Sequence, residues 1–244
     1  MTKNSGSQSS SAGSVQIGRI AGVSIRLHWT FGLLIALVAA SAAGGSSSQV
    51  VDLSVWIAVV FACVVLHELA HSIVARRRGA TVLGILLLPI GGMSQLDRLP
   101  DNPDDEFAIA IVGPLASFAI AGAAAIGAVA FGSSLWPPVL TAGSWLGRIM
   151  WLNILLGAFN MLPALPMDGG RVLRARLSRH RNRSAATRIA SQIARTIAYV
   201  MLVVGFFFDF WLILIGIFVL LGARAEEVQA NSDQSAEIVA SNPK

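Results

Sequence analysis

Long apolar runs separated by short polar loops dominate the sequence and predict a helical membrane protein. A helix needs about 20 predominantly apolar residues to cross a bilayer. Six runs are candidates, and the first and the last two of them are short: 27–43, 53–75, 107–131, 144–162, 196–208 and 210–221. Asp209 separates the last two, which we interpret as a helical hairpin that returns the C-terminus to the side of the N-terminus.

Two further apolar segments do not fit a spanning helix. Residues 15–26 alternate apolar and polar side chains, a pattern that favours a short strand or an interfacial segment. Residues 81–95 are too few to span, and Pro89 with Gly91 and Gly92 interrupts any helix there. Irregular backbone at membrane depth requires protein or a water-filled cavity around it. We therefore interpret residues 81–95 as a re-entrant segment beside a functional site; the alternative is an interfacial loop without a role in substrate binding.

Composition supports the assignment as a membrane protein and predicts two polar tails around one transmembrane domain. The mean hydropathy is +0.68, with 55% hydrophobic and 13% charged residues, about half the charge of a soluble domain. A Ser/Gly-rich tract predicts a disordered polar tail at 1–14, followed by one transmembrane domain at 15–227 and a polar C-terminal tail at 228–244.

The distribution of charge predicts the topology. Seventeen of the 18 Lys and Arg residues fall on one side of the six predicted spans, and Arg148 is the exception. Basic loops stay in the cytoplasm, so both termini are predicted to be cytoplasmic in a multi-pass protein of the cell membrane. The net charge of +5 is explained by these loops and predicts no nucleic-acid partner. Sixteen arginines against two lysines suggest a prokaryotic source, and Cys63 is predicted to be a buried packing residue.

The second span contains the motif HExxH, formed by His67, Glu68 and His71. Residues four apart share one face of a helix, so both imidazoles can reach one metal ion, with Glu68 about 100° round the helix. The alternative is a solvated polar face. It is disfavoured here because an ionisable side chain at membrane depth costs at least about 2.5 kcal/mol and is usually paired, coordinated or functional.

Asp168 follows the fourth span in the run NMLPALPMDGGR, residues 160–171. Two prolines end the helix and two glycines permit a sharp turn, so Asp168 is predicted to lie in an irregular segment. It can supply a third metal ligand, or it can cap the helix that begins near Arg171. Two imidazoles and one carboxylate would leave one position open on a tetrahedral zinc ion, as catalytic sites require.

Several motifs together resemble the site-2 protease family of intramembrane zinc metalloproteases. The resemblance covers residues 18–227, and it is greatest to the branch with six transmembrane helices and no inserted PDZ domain. Members often carry CBS domains after the last helix, and no such domain follows in this sequence. The motifs are RLHWTF, HELAHS, PIGGMSQL, IVGPLASF, NMLPALPMDGGR and GARAEE.

The resemblance implies the roles of the site residues. It implies one Zn²⁺ per chain, bound by His67, His71 and Asp168, with Glu68 as the catalytic base and Asn160 near the active site. We interpret Asn160 as a donor to the oxyanion of the tetrahedral intermediate.

The resemblance also implies a re-entrant β-hairpin around residues 86–94, whose edge pairs with the unwound substrate. The substrate-binding residues predicted from it are Pro89, Gly91, Gly92 and Met93. The predicted fold class is thus an all-α polytopic membrane protein with about six transmembrane helices and a short re-entrant β-hairpin.

The predicted function is intramembrane cleavage of single-span membrane proteins, in a site within the bilayer toward the cytoplasmic side. By analogy the substrate is first shortened by an upstream site-1-type protease, and lipid is the other partner; oligomeric state is left open. Two alternatives remain: a zinc-binding membrane protein or transporter without protease activity, and a scaffold that binds membrane helices. The scaffold does not explain HExxH, and a transporter needs polar residues through both leaflets.

Overall fold

A computed structural model of the chain describes residues 13–42, 46–89, 91–96, 102–136, 138, 140 and 143–241. The predicted tail at 1–14 lies outside this part except for Gly13 and Ser14. Within the described residues there are four strands and seven helices: β1 Ser14–Ile20, β2 Val23–His28, α1 Phe31–Ala42, α2 Ser47–Arg77, β3 Val82–Leu88, β4 Gly91–Leu96, α3 Pro103–Ala130, α4 Trp145–Asn160, α5 Asp168–Ser178, α6 Arg183–Phe208 and α7 Phe210–Ser241.

The chain divides into two compact units, and the first contains the sheet. This unit comprises residues 1–99 and 120–153. The strands lie in the order β1-β2-β3-β4. β1 pairs with β2 and β3 with β4 in antiparallel fashion, whereas β2 and β3 are parallel, with Ile25 opposite Ile85. The sheet is therefore two hairpins joined side by side, and helix α2 lies between them in the sequence.

Helix α2 covers the sheet with branched apolar side chains. It begins with a capping box, in which the Ser46 hydroxyl oxygen accepts from the Gln49 backbone amide and the Gln49 side-chain oxygen accepts from the Ser46 backbone amide. Its buried Leu69 packs in one core with strand residues of the sheet. The buried members of that core are Val23, Ile25, Leu69, Ile85 and Leu87. This packing fixes which face of α2 meets β3 and β4.

The second unit comprises residues 100–119 and 154–244, and small residues form its core. Ala190, Ala194 and Ala198 of α6 are fully buried at a spacing of four, which places them on one face of the helix. Val219 and Ala223 of α7 are in the same core. Methyl groups allow two helices to approach closely, as is usual in membrane proteins. Asp209 ends α6, and its side chain accepts from the Trp211 amide at the start of α7.

The structure confirms part of the predicted fold class and corrects the rest. The β-hairpin around residues 86–94 is present as β3 and β4. The chain is not all-α beyond that hairpin, because β1 and β2 extend it to four strands. Segment 15–26, which was compatible with a strand or an interfacial segment, is a strand pair because its alternating side chains suit an antiparallel hairpin.

The apolar helices support a membrane protein, although fewer of them are long enough to span than the six predicted. Within the described part of the chain, three helices have the length and composition to cross a bilayer: α2, α3 and α6. Helix α1 has 12 residues and α4 has 16, so the count of six stays a prediction. Helix α7 continues to Ser241, so the part of the predicted C-terminal tail that the structure describes is helical.

Candidate metal centre

Helix α2 presents two buried histidines side by side. His67 and His71 are 2% and 4% exposed, and their Nε2 atoms lie 3.2 Å apart. One helical turn separates them, so both rings leave the same face of the helix. Two imidazole nitrogens this close inside a protein suit a shared cation.

Asp168 is the first residue of helix α5 and is 8% exposed. The N-cap position belongs to Met167, which makes no side-chain capping bond, so the interpretation of Asp168 as an N-cap is wrong. Gly169 explains the local fold, because a Cβ there would overlap the Met161 carbonyl. The glycine lets the first turn of α5 pack against the preceding loop, and a carboxylate suits that positive end of the helix dipole.

Asp168 lies with the two histidines in one cluster, and we call His67, His71 and Asp168 the metal cluster. One ligand atom from each residue lies within 4.8 Å of the others, and all three side chains are buried. Two zinc–nitrogen bonds of about 2.0–2.1 Å at a tetrahedral angle would place the nitrogens about 3.3 Å apart, close to the separation that the structure shows. The donor set therefore fits zinc, and the three residues are close enough to bind one metal ion.

Glu68 is half-buried beside these histidines, and its carboxylate is held by strand β4. Its Oε2 accepts from the Ser94 backbone amide at 3.0 Å and from the Ser94 hydroxyl at 2.6 Å. The close approach of β4 depends on Gly92. A Cβ at that position would lie 2.8 Å from Glu68 Cγ and 2.9 Å from Val64 Cγ1.

The predicted substrate-binding residues lie at the turn between β3 and β4 and at the start of β4. Pro89, Gly91 and Gly92 are half-buried, and Met93 is 49% exposed. Because β4 is last in the sheet order, one of its edges carries no further strand among the described residues. An exposed sheet edge can accept an extended peptide, so the geometry is compatible with the predicted role of these residues, which stays a prediction.

Asn160 is the last residue of helix α4 and is half-buried. Its side-chain amide donates to the Leu156 carbonyl at 2.9 Å, one turn back in the same helix. An asparagine amide carries two N–H donors, so this bond is compatible with donation to a substrate as well. The role of Asn160 stays a prediction.

A second buried polar cluster was not predicted from the sequence. Arg174 of α5 donates from Nε to Glu106 at 2.8 Å and from Nη1 to Glu226 at 2.6 Å; we call these three residues the arginine cluster. Burial alone would lower the pKa of Arg174, but the two carboxylates outweigh it and raise that pKa above its ordinary value. The cluster joins α5, which begins with Asp168, to α3 and α7.

Ser94 was also missed as a functional candidate. Side chains of a strand alternate, so Ser94 shares a face with Gly92 two residues earlier. The contact between Ser94 and Glu68 could be predicted only with a known hairpin register, because nothing in the local sequence relates the two residues. Cys63, in contrast, is buried as predicted and accepts a hydrogen bond from the Asn153 side chain at 3.3 Å.

Three helices apolar and long enough to cross a membrane, a buried cluster of two histidines and a carboxylate, and an adjacent glutamate are together the features of a membrane protein with a candidate zinc site. Residues 55–145 and 139–205 match the model of Peptidase family M50, and the chain belongs to this family, which confirms the resemblance to site-2 proteases.

Proteins of similar sequence are named as zinc metalloproteases. A zinc metalloprotease of Methanocaldococcus jannaschii is 38% identical over 216 residues, 87% of this chain and 60% of the relative. Rip3 of Mycobacterium tuberculosis, provisionally named a zinc metalloprotease, is 31% identical over 242 residues, 90% of this chain and 60% of the relative. The chain thus spans 60% of the length of these two relatives.

A solved structure has the same fold. It is a site-2 protease from Methanocaldococcus jannaschii with 38% sequence identity and a TM-score of 0.64, and the match covers 88% of this chain and 95% of that chain. The similarity therefore extends across most of the described elements and is not confined to the HExxH motif.

Proposed function

We propose that this protein is an intramembrane zinc endopeptidase that hydrolyses peptide bonds within or near the transmembrane segments of single-span membrane proteins. The observation that carries the proposal is the buried cluster of His67, His71 and Asp168 with Glu68 directly adjacent. Membership of Peptidase family M50 and the names of the relatives support it.

His67, His71 and Asp168 are the residues that would hold one zinc ion per chain. A zinc ion bound there supplies Lewis acidity to the scissile carbonyl and lowers the pKa of water. The protein contributes a buried site with a defined arrangement of ligands. The imidazoles come from one helix, and the carboxylate comes from the first turn of another. Three protein ligands are the number found in catalytic zinc sites.

Glu68 is proposed to act as general base and then as general acid. Its carboxylate takes a proton from the attacking water, whose oxygen forms the bond to the carbonyl carbon. The same carboxyl group then gives that proton to the leaving amine as the C–N bond breaks. Asn160 is proposed to donate an N–H to the oxyanion in the tetrahedral state.

The edge of β4 is proposed to bind the substrate. A transmembrane helix shields its carbonyls in internal hydrogen bonds, so the substrate must unwind before hydrolysis. An unwound segment can replace those bonds by pairing with β4 as an added strand, with Pro89, Gly91, Gly92 and Met93 as the contact residues. The exposure of Met93 and the position of β4 at the sheet edge support this assignment.

The membrane topology is proposed from charge and helix positions together. Six transmembrane segments with both termini in the cytoplasm place 17 of 18 basic residues on the cytoplasmic side. The break at Asp209 between α6 and α7 supports a hairpin at the opposite surface. The active site then lies within the bilayer toward the cytoplasm, since HExxH is in the second half of α2, which ends in basic residues.

Partners are proposed from the family and from the chemistry of the site. The substrate is a single-span membrane protein that an upstream site-1-type protease has already shortened, and membrane lipid surrounds the apolar helices. Relatives from an archaeon and from bacteria support a prokaryotic source.

The activity is tested with a panel of single-span substrates in detergent or vesicles, followed by intact mass of the fragments. Wild-type protein is expected to release fragments cut within or near the apolar segment, and Glu68→Gln to release none. Glu227→Gln, which removes a carboxylate that pairs with Arg195, is the matched control and is expected to cleave. Cleavage by Glu68→Gln at the wild-type rate would exclude the assigned base.

A further inference from the structure

Two donors from one residue of the hairpin converge on one oxygen of Glu68. The Ser94 backbone amide lies 3.0 Å and its hydroxyl 2.6 Å from Glu68 Oε2. We propose that Ser94 is a positioning residue that orients the Glu68 carboxylate for proton transfer. This inference rests on the proposed role of Glu68 as base, and it concerns a residue to which the family motifs quoted above assign no role.

The direction of the hydroxyl bond follows from distance. Ser94 Oγ also lies 3.2 Å from the Glu68 backbone carbonyl and 3.2 Å from Ser72 Oγ. A serine hydroxyl has one proton, and its contact with Glu68 Oε2 at 2.6 Å is the shortest of the three. The Ser94 hydroxyl is therefore assigned as donor to Glu68 Oε2, and the buried Ser72 hydroxyl can donate to Ser94 Oγ in turn. The result is a short chain of hydrogen bonds from Ser72 through Ser94 to Glu68.

Both donors reach the same carboxylate oxygen, which assigns different tasks to the two oxygens of Glu68. Oε2 is the anchored oxygen, because two hydrogen bonds fix its position. Oε1 is accordingly the oxygen to which we assign proton transfer from water. An anchored carboxylate loses fewer alternative rotamers when the substrate binds, and general bases depend on such placement.

The same contact links the base to the strand proposed to hold the substrate. Gly92 and Ser94 share one side of β4, and Gly92 gives Glu68 room for close approach. If a substrate strand pairs with β4 at Gly91–Met93, β4 therefore fixes the position of that substrate strand relative to the Glu68 carboxylate. Ser94 thus couples substrate position to base position without contacting the metal cluster in the proposed scheme.

The test compares Ser94→Ala, Ser94→Thr and Ser24→Ala in the full chain loaded with zinc. Ser94→Ala removes the hydroxyl donor but keeps the backbone amide, so kcat is expected to fall about tenfold with KM within about twofold of wild type. Ser94→Thr retains a hydroxyl and is expected to restore most of kcat. Ser24→Ala is the matched control, since Ser24 on β2 bonds the Leu83 carbonyl at 2.9 Å. Zinc content and melting temperature are expected to stay at wild-type values in all three.

A spectroscopic measurement tests the contact without catalysis. The infrared carboxylate bands of Glu68, identified by difference from Glu68→Gln, are expected to shift in Ser94→Ala and to remain in place in Ser24→Ala. Unshifted bands, an unchanged kcat, or a loss of activity that follows zinc loss or unfolding would each overturn the inference. Absence of cleavage by the wild-type protein would instead overturn the proposed function, whereas the infrared result would still decide whether Ser94 orients Glu68.

Discussion

The metal cluster and the arginine cluster both contain buried carboxylates, but they differ in the source of positive charge. In the arginine cluster the cation is a protein side chain: Arg174 is 3% exposed and contacts Glu106 and Glu226, which are 2% and 27% exposed. The metal cluster is made of two imidazoles and a carboxylate, groups that ligate a metal ion through lone pairs. One cluster carries its own cation, and the other has the chemistry to bind one.

Because of this difference, substitutions in the arginine cluster are expected to change stability, whereas substitutions in the metal cluster are expected to change zinc binding and activity. Removing Arg174 would leave the buried Glu106 with only the longer ion pair to Arg183, at 3.6 Å, and would take the Arg174 partner from the half-buried Glu226, a change that costs folding free energy. Removing a metal ligand would chiefly lower the affinity for zinc, because the lost bond is to an ion that can dissociate into solution and not to another part of the chain. Since Arg174 and Asp168 both lie on α5, substitutions on one helix can test the two effects against each other.

The largest effect is expected for Asp168→Ala. The substitution removes the only carboxylate of the metal cluster, so bound zinc should fall well below one ion per chain and cleavage should become undetectable. Elemental analysis of the purified protein measures the zinc, and fragment mass measures the cleavage. Asp209→Ala, at the break between α6 and α7, is the matched control and should retain both. Full zinc content in Asp168→Ala would remove Asp168 from the ligand set.

The next effect is expected for Arg174→Leu, and it concerns stability. Loss of one partner from a buried charge cluster costs about 3–5 kcal/mol of unfolding free energy. Arg179→Leu is the control, because Arg179 pairs with Asp104 at the surface, where a pair contributes about 0–1 kcal/mol. Chemical denaturation in detergent measures both. Equal stability of the two variants would contradict the structural role of the arginine cluster.

The pH dependence of the stabilisation by Arg174 follows from the direction of the shift in the pKa of Arg174. The folded pKa lies above the ordinary value of an arginine, so the stabilisation is complete below that ordinary value and is lost only as pH rises through the folded pKa. The stability difference between wild type and Arg174→Leu should therefore show no loss from Arg174 titration between about pH 7 and pH 10. Denaturation at these two values checks the expectation.

A smaller effect on activity is expected for Gly92→Ala. The added methyl would meet Glu68 and Val64, so β4 or the Glu68 side chain must shift while the metal ligands keep their places. We expect kcat to fall about tenfold with zinc retained. Gly122→Ala on α3 is the control, because a Cβ there meets nothing within 4 Å. If Gly92→Ala retained full activity, close contact between β4 and Glu68 would not matter for catalysis.

How much of the site could be predicted depended on how local the signal was. HExxH contains its own geometry, because a helix places residues four apart on one face. Asp168 was found through the motif around it, and the hairpin through the family resemblance. Ser94 and the arginine cluster required pairings across 26 and 68 positions of sequence, which no local pattern encodes. The parallel pairing of β2 with β3 was missed for the same reason, since helix α2 intervenes.

X-ray absorption at the zinc edge measures whether His67, His71 and Asp168 hold the zinc ion. We expect nitrogen and oxygen ligands at about 2.0–2.2 Å, two of them imidazoles, and no sulfur. Asp168→Asn, which keeps the shape of the side chain, should alter the spectrum of any zinc that remains. A sulfur ligand from Cys63, or a spectrum without imidazole scattering, would show that this set of three residues does not hold the zinc ion.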